Sequence, residues 1–443
     1  MPASRHHRAI VPDASDRPRD RSRFDVLIVG GGAAGIAVAA LLKRKRRALG
    51  VAIVEPSETH SYQPGWTLVG GGVFTLAQTR RLEKRCIPDG VTWIKAAAET
   101  FHPETNEVVL GDGRAIGYDH LVVCPGLRLD WAKVEGLEEA LGRNGVCSNY
   151  RAETAEYTWA CIKAFRGGTA LFTQPPMPIK CAGAPQKIMY MAADHFRRQG
   201  ILGEGSVRFC LAGDALFGVP TFVPPLQGVV DGYGIAVHYK HELKAIDGKA
   251  KRAIFAVADR DGGRREVAMP FDMIHVTPPQ SAPDVVKRSP LANEAGWVDV
   301  DQHTMRHRRY ANVFGLGDAA SSPNAKTAAA VRKQAPVVAR NLLALRDGRE
   351  PSARYDGYGL CPLIVGYGKV MLAEFGYGGR VTPSFPLDPT VPRRSMWYLK
   401  KRIVPWLYWD YMLKGWDFDL PYWDRRPAGW PTAAPVAGAP GRR

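Results

Sequence analysis

Thiols and closely spaced glycines are the residues of this chain with the most chemistry to offer. Seven cysteines stand at 86, 124, 147, 161, 181, 210 and 361. Their number is odd, their spacings are wide and no CxxC pair occurs, so no metal site is expected. A disulfide-stapled scaffold is not expected at 443 residues either. What remains for each thiol is packing as a small hydrophobe, or attack on a disulfide sulfur as a thiolate. Cys181 is singled out by its setting, Pro178-Ile-Lys-Cys-Ala-Gly-Ala-Pro-Gln-Lys-Ile188, just after the apolar run Thr169-Ala-Leu-Phe-Thr173.

That setting gains meaning from the N-terminal part of the chain. Phe24-Asp-Val-Leu-Ile-Val29 is a continuous apolar strand, followed by Gly30-Gly-Gly-Ala-Ala-Gly35 and a helical run from Ile36 to Leu42. In a strand–turn–helix unit of this kind Gly30 permits the tight turn and Gly32 lets the backbone approach a pyrophosphate. Gly35 lets helix and strand pack closely, and the helix N-terminus faces the phosphates. A second strand, Val51-Ala-Ile-Val54, ends in Glu55, 20 residues after Gly35, where a carboxylate binds ribose hydroxyls. A dinucleotide site is expected here.

Two further segments specify the nucleotide. Tyr118-Asp-His-Leu-Val-Val-Cys-Pro-Gly126 resembles the second flavoprotein fingerprint, with Cys124-Pro125-Gly126 in place of Ala-Thr-Gly. Asn312-Val-Phe-Gly-Leu-Gly-Asp318 resembles the third, whose Asp binds the FAD ribitol. The three motifs in this order are similar to the FAD-dependent disulfide reductase superfamily, which implies an α/β fold of two Rossmann-like domains with FAD as cofactor. A nicotinamide-binding unit should then begin near Thr169. Its strand is present, but Gln174-Pro-Pro-Met-Pro178 replaces the glycines, and prolines have no N–H to offer a phosphate. Ser206-Val-Arg-Phe-Cys-Leu211 reads as the next strand of the same unit. The unit is expected to keep its fold without a nicotinamide, so the electrons come from another donor, and Cys181 lies in the vacated region. In this architecture the segment after the third fingerprint returns over the flavin, and it carries Cys361. Whether the two cysteines meet is not a matter that periodicity or composition decides.

The chain resembles the sulfide:quinone oxidoreductases, in particular the branch that includes the mitochondrial enzyme, over roughly residues 24 to 420. The most selective strings are 178–188, Ala325-Lys-Thr-Ala-Ala-Ala330, Tyr355-Asp-Gly-Tyr-Gly-Leu-Cys-Pro362 and His275-Val-Thr-Pro-Pro279. The resemblance implies that Cys181 and Cys361 are the redox pair: sulfide leaves a persulfide on Cys361, and Cys181 passes two electrons to FAD. It implies a membrane quinone as final acceptor and glutathione, sulfite or a second sulfide as taker of the sulfane sulfur. FAD contacts are implied at Gly30, Gly32, Ala33, Ala34, Gly35, Glu55, Gln63, Ala98, Gly126, Asp318, Lys326 and Thr327, with the Lys326 cation near flavin N1 and O2. Cys124 and Cys147 do not match the third cysteine of one bacterial branch and are expected to pack. His60, His120 and His275 are read as loop or core residues.

The expected layout is a disordered arm over 1–23, an FAD-binding domain over 24–150 that resumes over 291–385, and a second Rossmann-like domain without a nicotinamide site over 151–290. An aromatic, membrane- and quinone-proximal segment follows over 386–426, then a disordered tail over 427–443. The aromatic segment interleaves Trp397, Trp406, Trp409 and Trp416 with Lys400, Lys401, Arg402 and Lys414, and Pro405 is expected to split it into two pieces too short to span a bilayer. Such a composition suits a headgroup interface, and a net charge of +17 favours an anionic lipid surface. No nucleic-acid motif is visible. Self-association is left open. Without an export signal the default placement is the inner face of a bacterial cytoplasmic membrane, or the mitochondrial inner membrane for a eukaryotic chain. Alternative readings are a flavin-bound sulfur carrier or redox sensor without quinone turnover, a sulfide dehydrogenase with a haem acceptor, and a type II NADH:quinone oxidoreductase.

Overall fold

The structure, a computed structural model, describes residues 22–258 and 263–417. The expected arm over 1–23, except its last two residues, and the expected tail lie outside them, as do Phe418, Tyr422 and Trp423 of the aromatic segment. The first sheet is built on Arg23–Val29, flanked in parallel by Val51–Val54 and by Ala115–Val123. Val91–Ile94 extends it on one side. On the other side the long strand Ala115–Val123 forks. Its first half pairs with the antiparallel Glu107–Leu110, and its last three residues pair in parallel with Val313–Gly315. The fork brings the third fingerprint beside the second. Parallel strands covered on both faces need continuous apolar runs, and all four residues of Val51–Val54 are buried.

The helix Ala33–Lys45 packs on this sheet with every residue from Ala34 to Leu42 buried. Gly35 is required there, because a Cβ would lie 1.9 Å from the Gly30 carbonyl oxygen. A second, all-parallel sheet runs in the order Val146–Cys147, Met273–His275, Ala170–Gln174, Val207–Leu211, Ala236–His238. Its central strand is the apolar run that precedes Cys181. The loop 175–183 follows, then the helix Ala184–Arg198, with a proline in its first turn, where the missing N–H costs nothing. An antiparallel three-stranded sheet, His241–Asp247, Arg252–Ala258 and Arg264–Pro270, stands beside it. The hairpin Gly359–Gly366 with Lys369–Phe375 carries Cys361 opposite Ala373.

The C-terminal aromatic stretch corrects one expectation. Residues 394–414 form consecutive helical turns, and Pro405 lies inside a short turn, Val404–Trp406, flanked by the wide π turns Leu399–Ile403 and Leu407–Tyr411. Widened turns re-route the hydrogen bonds that proline cannot make, so the segment continues through it. Its inner face docks on the first domain: Tyr408, Trp409, Met412 and Leu413 are all under 8% exposed and join that domain's core. Burial of such side chains is worth ~1.5–3 kcal/mol each. Tyr398, Trp406 and Trp416 face outward. Among the described residues no helix is long and apolar enough to cross a membrane.

Candidate active site

Cys181 sits at the turn between the vacated loop and the helix Ala184–Arg198. Its φ of +51° is left-handed, a conformation that costs a side chain of this kind energy and is held from both sides. The Cys181 N–H donates to the Lys326 carbonyl (3.0 Å), and its carbonyl accepts from Ala184 N–H (2.7 Å). The Cys361 strand runs directly behind. The two sulfurs are 3.8 Å apart, well beyond the ~2.05 Å of a disulfide. Gly183 makes the approach possible, since a Cβ there would lie 2.5 Å from the Cys361 sulfur.

The helix also delivers Lys187. Its Nζ lies 3.0 Å from the Cys181 sulfur and 3.9 Å from that of Cys361, and the side chain is 4% exposed. The pair is electrostatically asymmetric. A hydrogen bond from the Cys361 thiol, with the Lys187 charge, outweighs burial and holds Cys181 well below the usual thiol range. Cys361 is pushed well above it, by donating to Cys181 and by burial. Burial alone would pull Lys187 down, but the neighbouring sulfur charge raises it, and it stays an ammonium. The arrangement is a thiolate, a thiol and a buried cation.

Cys181 and Lys187 open on a cavity of about 380 Å³, and Cys361 lies buried behind its wall. Its walls come from both domains and from the C-terminal stretch, with Tyr62, Pro125, Tyr150, Leu360, Leu407 and Tyr408 among them. Of the residues expected from sequence, Cys181, Gln63, Gly126, Asp318, Lys326 and Thr327 line it. Lys180 Nζ lies 3.4 Å from Asp318 and contacts the Gln63 side-chain oxygen. Thr327 caps the helix Ala328–Arg346, accepting from Ala330 N–H (3.2 Å). The Lys326 ammonium donates to the carbonyls of Asp318 (2.7 Å) and Ala320 (3.1 Å) and lies over the Trp297 ring. Burial lowers its pKa to about 8.

The glycine-loop residues form a second group. Gly30 has φ +108°, and a Cβ would meet the Cys124 carbonyl oxygen at 2.5 Å, so the turn is closed to other residues. Gly32 faces open space at the N-terminus of the helix that holds Ala33, Ala34 and Gly35. Glu55 accepts from Gly31 N–H (2.8 Å) beside it, and burial raises its pKa. This open, close-approach cradle, which the strand pairings bring beside the fingerprints at Gly126 and Asp318, fits FAD. Ala98 begins the outer strand Ala98–His102, partly buried against the core and apart from the cavity wall.

Sequence reading assigned no role to Lys187, although it lies in the string 178–188, and placed Lys400 among the basic residues of a headgroup interface, from which its burial removes it. Lys400 is 3% exposed, lines the cavity and donates to the Pro64 carbonyl (2.9 Å). Burial, then repulsion from Lys187, lowers its pKa to about 7. The remaining thiols are packed: Cys124 donates to the Gly30 carbonyl (3.6 Å), and Cys147 is fully buried beside Cys161. His275 is buried, and its pKa falls to about 3 for that reason.

Residues 24–157 match the family model of pyridine nucleotide-disulphide oxidoreductases. The chain is 42% identical over 395 residues to the mitochondrial sulfide:quinone oxidoreductase of Mus musculus, covering 89% of this chain and 87% of the relative. It is 44% identical over 393 residues to the mitochondrial enzyme of Dictyostelium discoideum, with 88% and 86% covered. The crystal structure of the sulfide:quinone oxidoreductase of Aquifex aeolicus shares the fold with a TM-score of 0.71 at 20% identity, over 88% of this chain and 92% of that one. With relatives this similar along nearly the whole length, the chain belongs to the sulfide:quinone oxidoreductase family.

Proposed function

We propose that this protein oxidises sulfide at the Cys181–Cys361 pair and delivers the electrons to a quinone in the adjoining cavity. The observation that carries the reading is the pair itself: two sulfurs 3.8 Å apart, one polarised as a thiolate by Lys187, where a nicotinamide loop would otherwise lie. Two sulfur–sulfur bonds of ~2.05 Å meet at a bent angle and span ~3.3 Å, so a single further sulfur atom can bridge the pair once the two sulfurs close by about half an ångström. Sulfide attacks the Cys361 sulfur of the oxidised pair and leaves a persulfide on Cys361. Cys181 departs as the thiolate, and the Lys187 ammonium stabilises it in that role. Bound FAD would supply two-electron chemistry between the Cys181 thiolate and the quinone. Gly30, Gly32, Gly35, Glu55, Gly126 and Asp318 would hold it, with Gln63, Lys326 and Thr327 at the cavity end and Ala33 and Ala34 on the adjoining helix; Ala98, also an expected contact, does not line the cavity. A nucleophilic acceptor, glutathione, sulfite or a second sulfide, removes the sulfane sulfur from Cys361.

The outward-facing Tyr398, Trp406 and Trp416, with Arg402 on the same stretch, support peripheral association with a quinone-bearing membrane of anionic surface. The two curated relatives above are mitochondrial proteins by name, and the bacterial placement expected from sequence is not carried forward. The test of the reading is steady-state turnover: the purified protein with sulfide, a soluble quinone analogue and each sulfane acceptor in turn. Quinol should form only when sulfide is present, and Cys361→Ser should abolish it while FAD stays bound. Undiminished quinol formation by that variant would remove Cys361 from the mechanism.

A further inference from the structure

A chain of three buried titratable side chains ends in the wall of the cavity and has no part in the sulfur chemistry. Tyr408, on the C-terminal stretch, lines the cavity, and its hydroxyl lies 2.6 Å from His60 Nε2. His60 Nδ1 lies 3.4 Å from a Glu83 carboxylate oxygen. His60 and Glu83 are 3% and 1% exposed, and the second oxygen of Glu83 has no hydrogen-bond partner. That oxygen faces Gly31, against which Glu55 also packs. Trp409 covers the His60 ring edge-on, and the Tyr62 ring lies tilted against Tyr408 with centroids 4.8 Å apart, so bulk water does not reach the imidazole from the cavity side. A packing role needs only the rings. Three ionisable groups in line, each touching the next, are the arrangement of a proton relay, in which a carboxylate orients an imidazole and the imidazole recharges a phenol.

We propose that Glu83, His60 and Tyr408 supply a proton to the quinone. The proposal rests on the reading above and deepens it. A quinone becomes a quinol by taking up two electrons and two protons. The two-electron donor would carry one of those protons with it, and a titratable group in the cavity wall can supply the other. The Tyr408 O–H bond breaks as an O–H bond forms on the quinone oxygen. The His60 Nε2–H proton moves to the Tyr408 oxygen while the ring keeps its Nδ1–H toward the Glu83 carboxylate, and a proton reaching the ring from the side away from the cavity replaces the one given up. Tyr408 is the group at the reacting oxygen; His60 and Glu83 act through it. Lys400, in the same wall, is the rival donor.

The experiment separates proton delivery from electron delivery. Enzyme reduced with sulfide under argon is mixed in a stopped-flow cell either with a soluble quinone or with ferricyanide, which takes electrons and no proton. Tyr408→Phe, which keeps the ring, and His60→Gln are compared with the wild type at matched FAD content. Reoxidation by quinone should fall ~100-fold in both variants, and added imidazole should partly restore it in His60→Gln. Reduction by sulfide and reoxidation by ferricyanide should stay at wild-type values. Wild-type reoxidation by quinone in Tyr408→Phe overturns the relay and leaves the proton to Lys400. Equal slowing with quinone and ferricyanide overturns it as well, in favour of a structural contact. Failure of quinone to reoxidise the wild type overturns the functional reading itself.

Discussion

Replacing Lys187 by Met removes the ammonium that faces both sulfurs and keeps a side chain of similar length. At 3.0 Å from the Cys181 sulfur and an effective dielectric of 20, the lost attraction is 332/(20 × 3.0), about 5.5 kcal/mol before desolvation. At about 1.4 kcal/mol per unit this sets an upper bound of about four units on the rise in the Cys181 pKa. The hydrogen bond from the Cys361 thiol is the larger stabiliser and remains, so Cys181 should titrate higher than in the wild type while still being held down by that bond. The assay is alkylation of the reduced protein by iodoacetamide across a pH series, with Cys181 followed by peptide mass spectrometry. The midpoint should move up, and sulfide-driven flavin reduction near neutral pH should slow, because the departing Cys181 thiolate has lost its counter-ion. An unchanged alkylation midpoint in a folded, FAD-loaded variant would refute the assignment of Lys187 as the thiolate's counter-ion.

Three further outcomes follow from the geometry. Gly183→Ala puts a methyl group 2.5 Å from the Cys361 sulfur, so sulfide should no longer reduce the flavin although the far-UV spectrum and FAD content are kept; normal reduction would show that the hairpin yields. Gly30→Ala forces a side chain into φ +108° and against the Cys124 carbonyl, so the purified protein should be colourless, which absorbance reads directly. Lys400 has a folded pKa of about 7 against an unfolded value near 10.4. Folding therefore sheds a proton at this site between those values, and wild-type stability gains there as pH rises. Relative to Lys400→Met, the wild type should gain up to ~1.4 kcal/mol per pH unit over that window in urea unfolding. A pH-independent difference would mean that the buried amine does not titrate there.

The parts of this site that were legible in the sequence are those whose backbone demands are local. Gly30 and Gly35 declare a turn and a close approach that no other residue allows, and Asp318 follows a strand that must lie beside them. The loss of glycine after Gln174 was legible for the same reason, because prolines cannot supply the N–H groups a phosphate needs. Lys187 was in view but unread: its meaning depends on one helical turn swinging it under sulfurs contributed by a strand far along the chain. Lys400 and the His60–Tyr408 contact are less accessible still, since the docking of the C-terminal stretch is a tertiary event with no local signature. The aromatic content of that stretch reads as interfacial throughout, yet Tyr408 and Trp409 are core. Trp409 and Trp416 do not differ in type, only in which side of a turn they occupy. Pro405 misled for a related reason, as widened turns absorb a proline that a regular helix would not.

The central claim is that sulfide, and not a nicotinamide, reduces this protein and that quinone reoxidises it. The most direct measurement is an anaerobic titration of the FAD-loaded protein followed at the flavin's visible maximum. The account predicts prompt bleaching by sulfide, no bleaching by NADH, and full recovery on adding a soluble quinone. Indifference to sulfide, or bleaching by NADH, would contradict it and return Cys181 and Cys361 to the status of buried thiols.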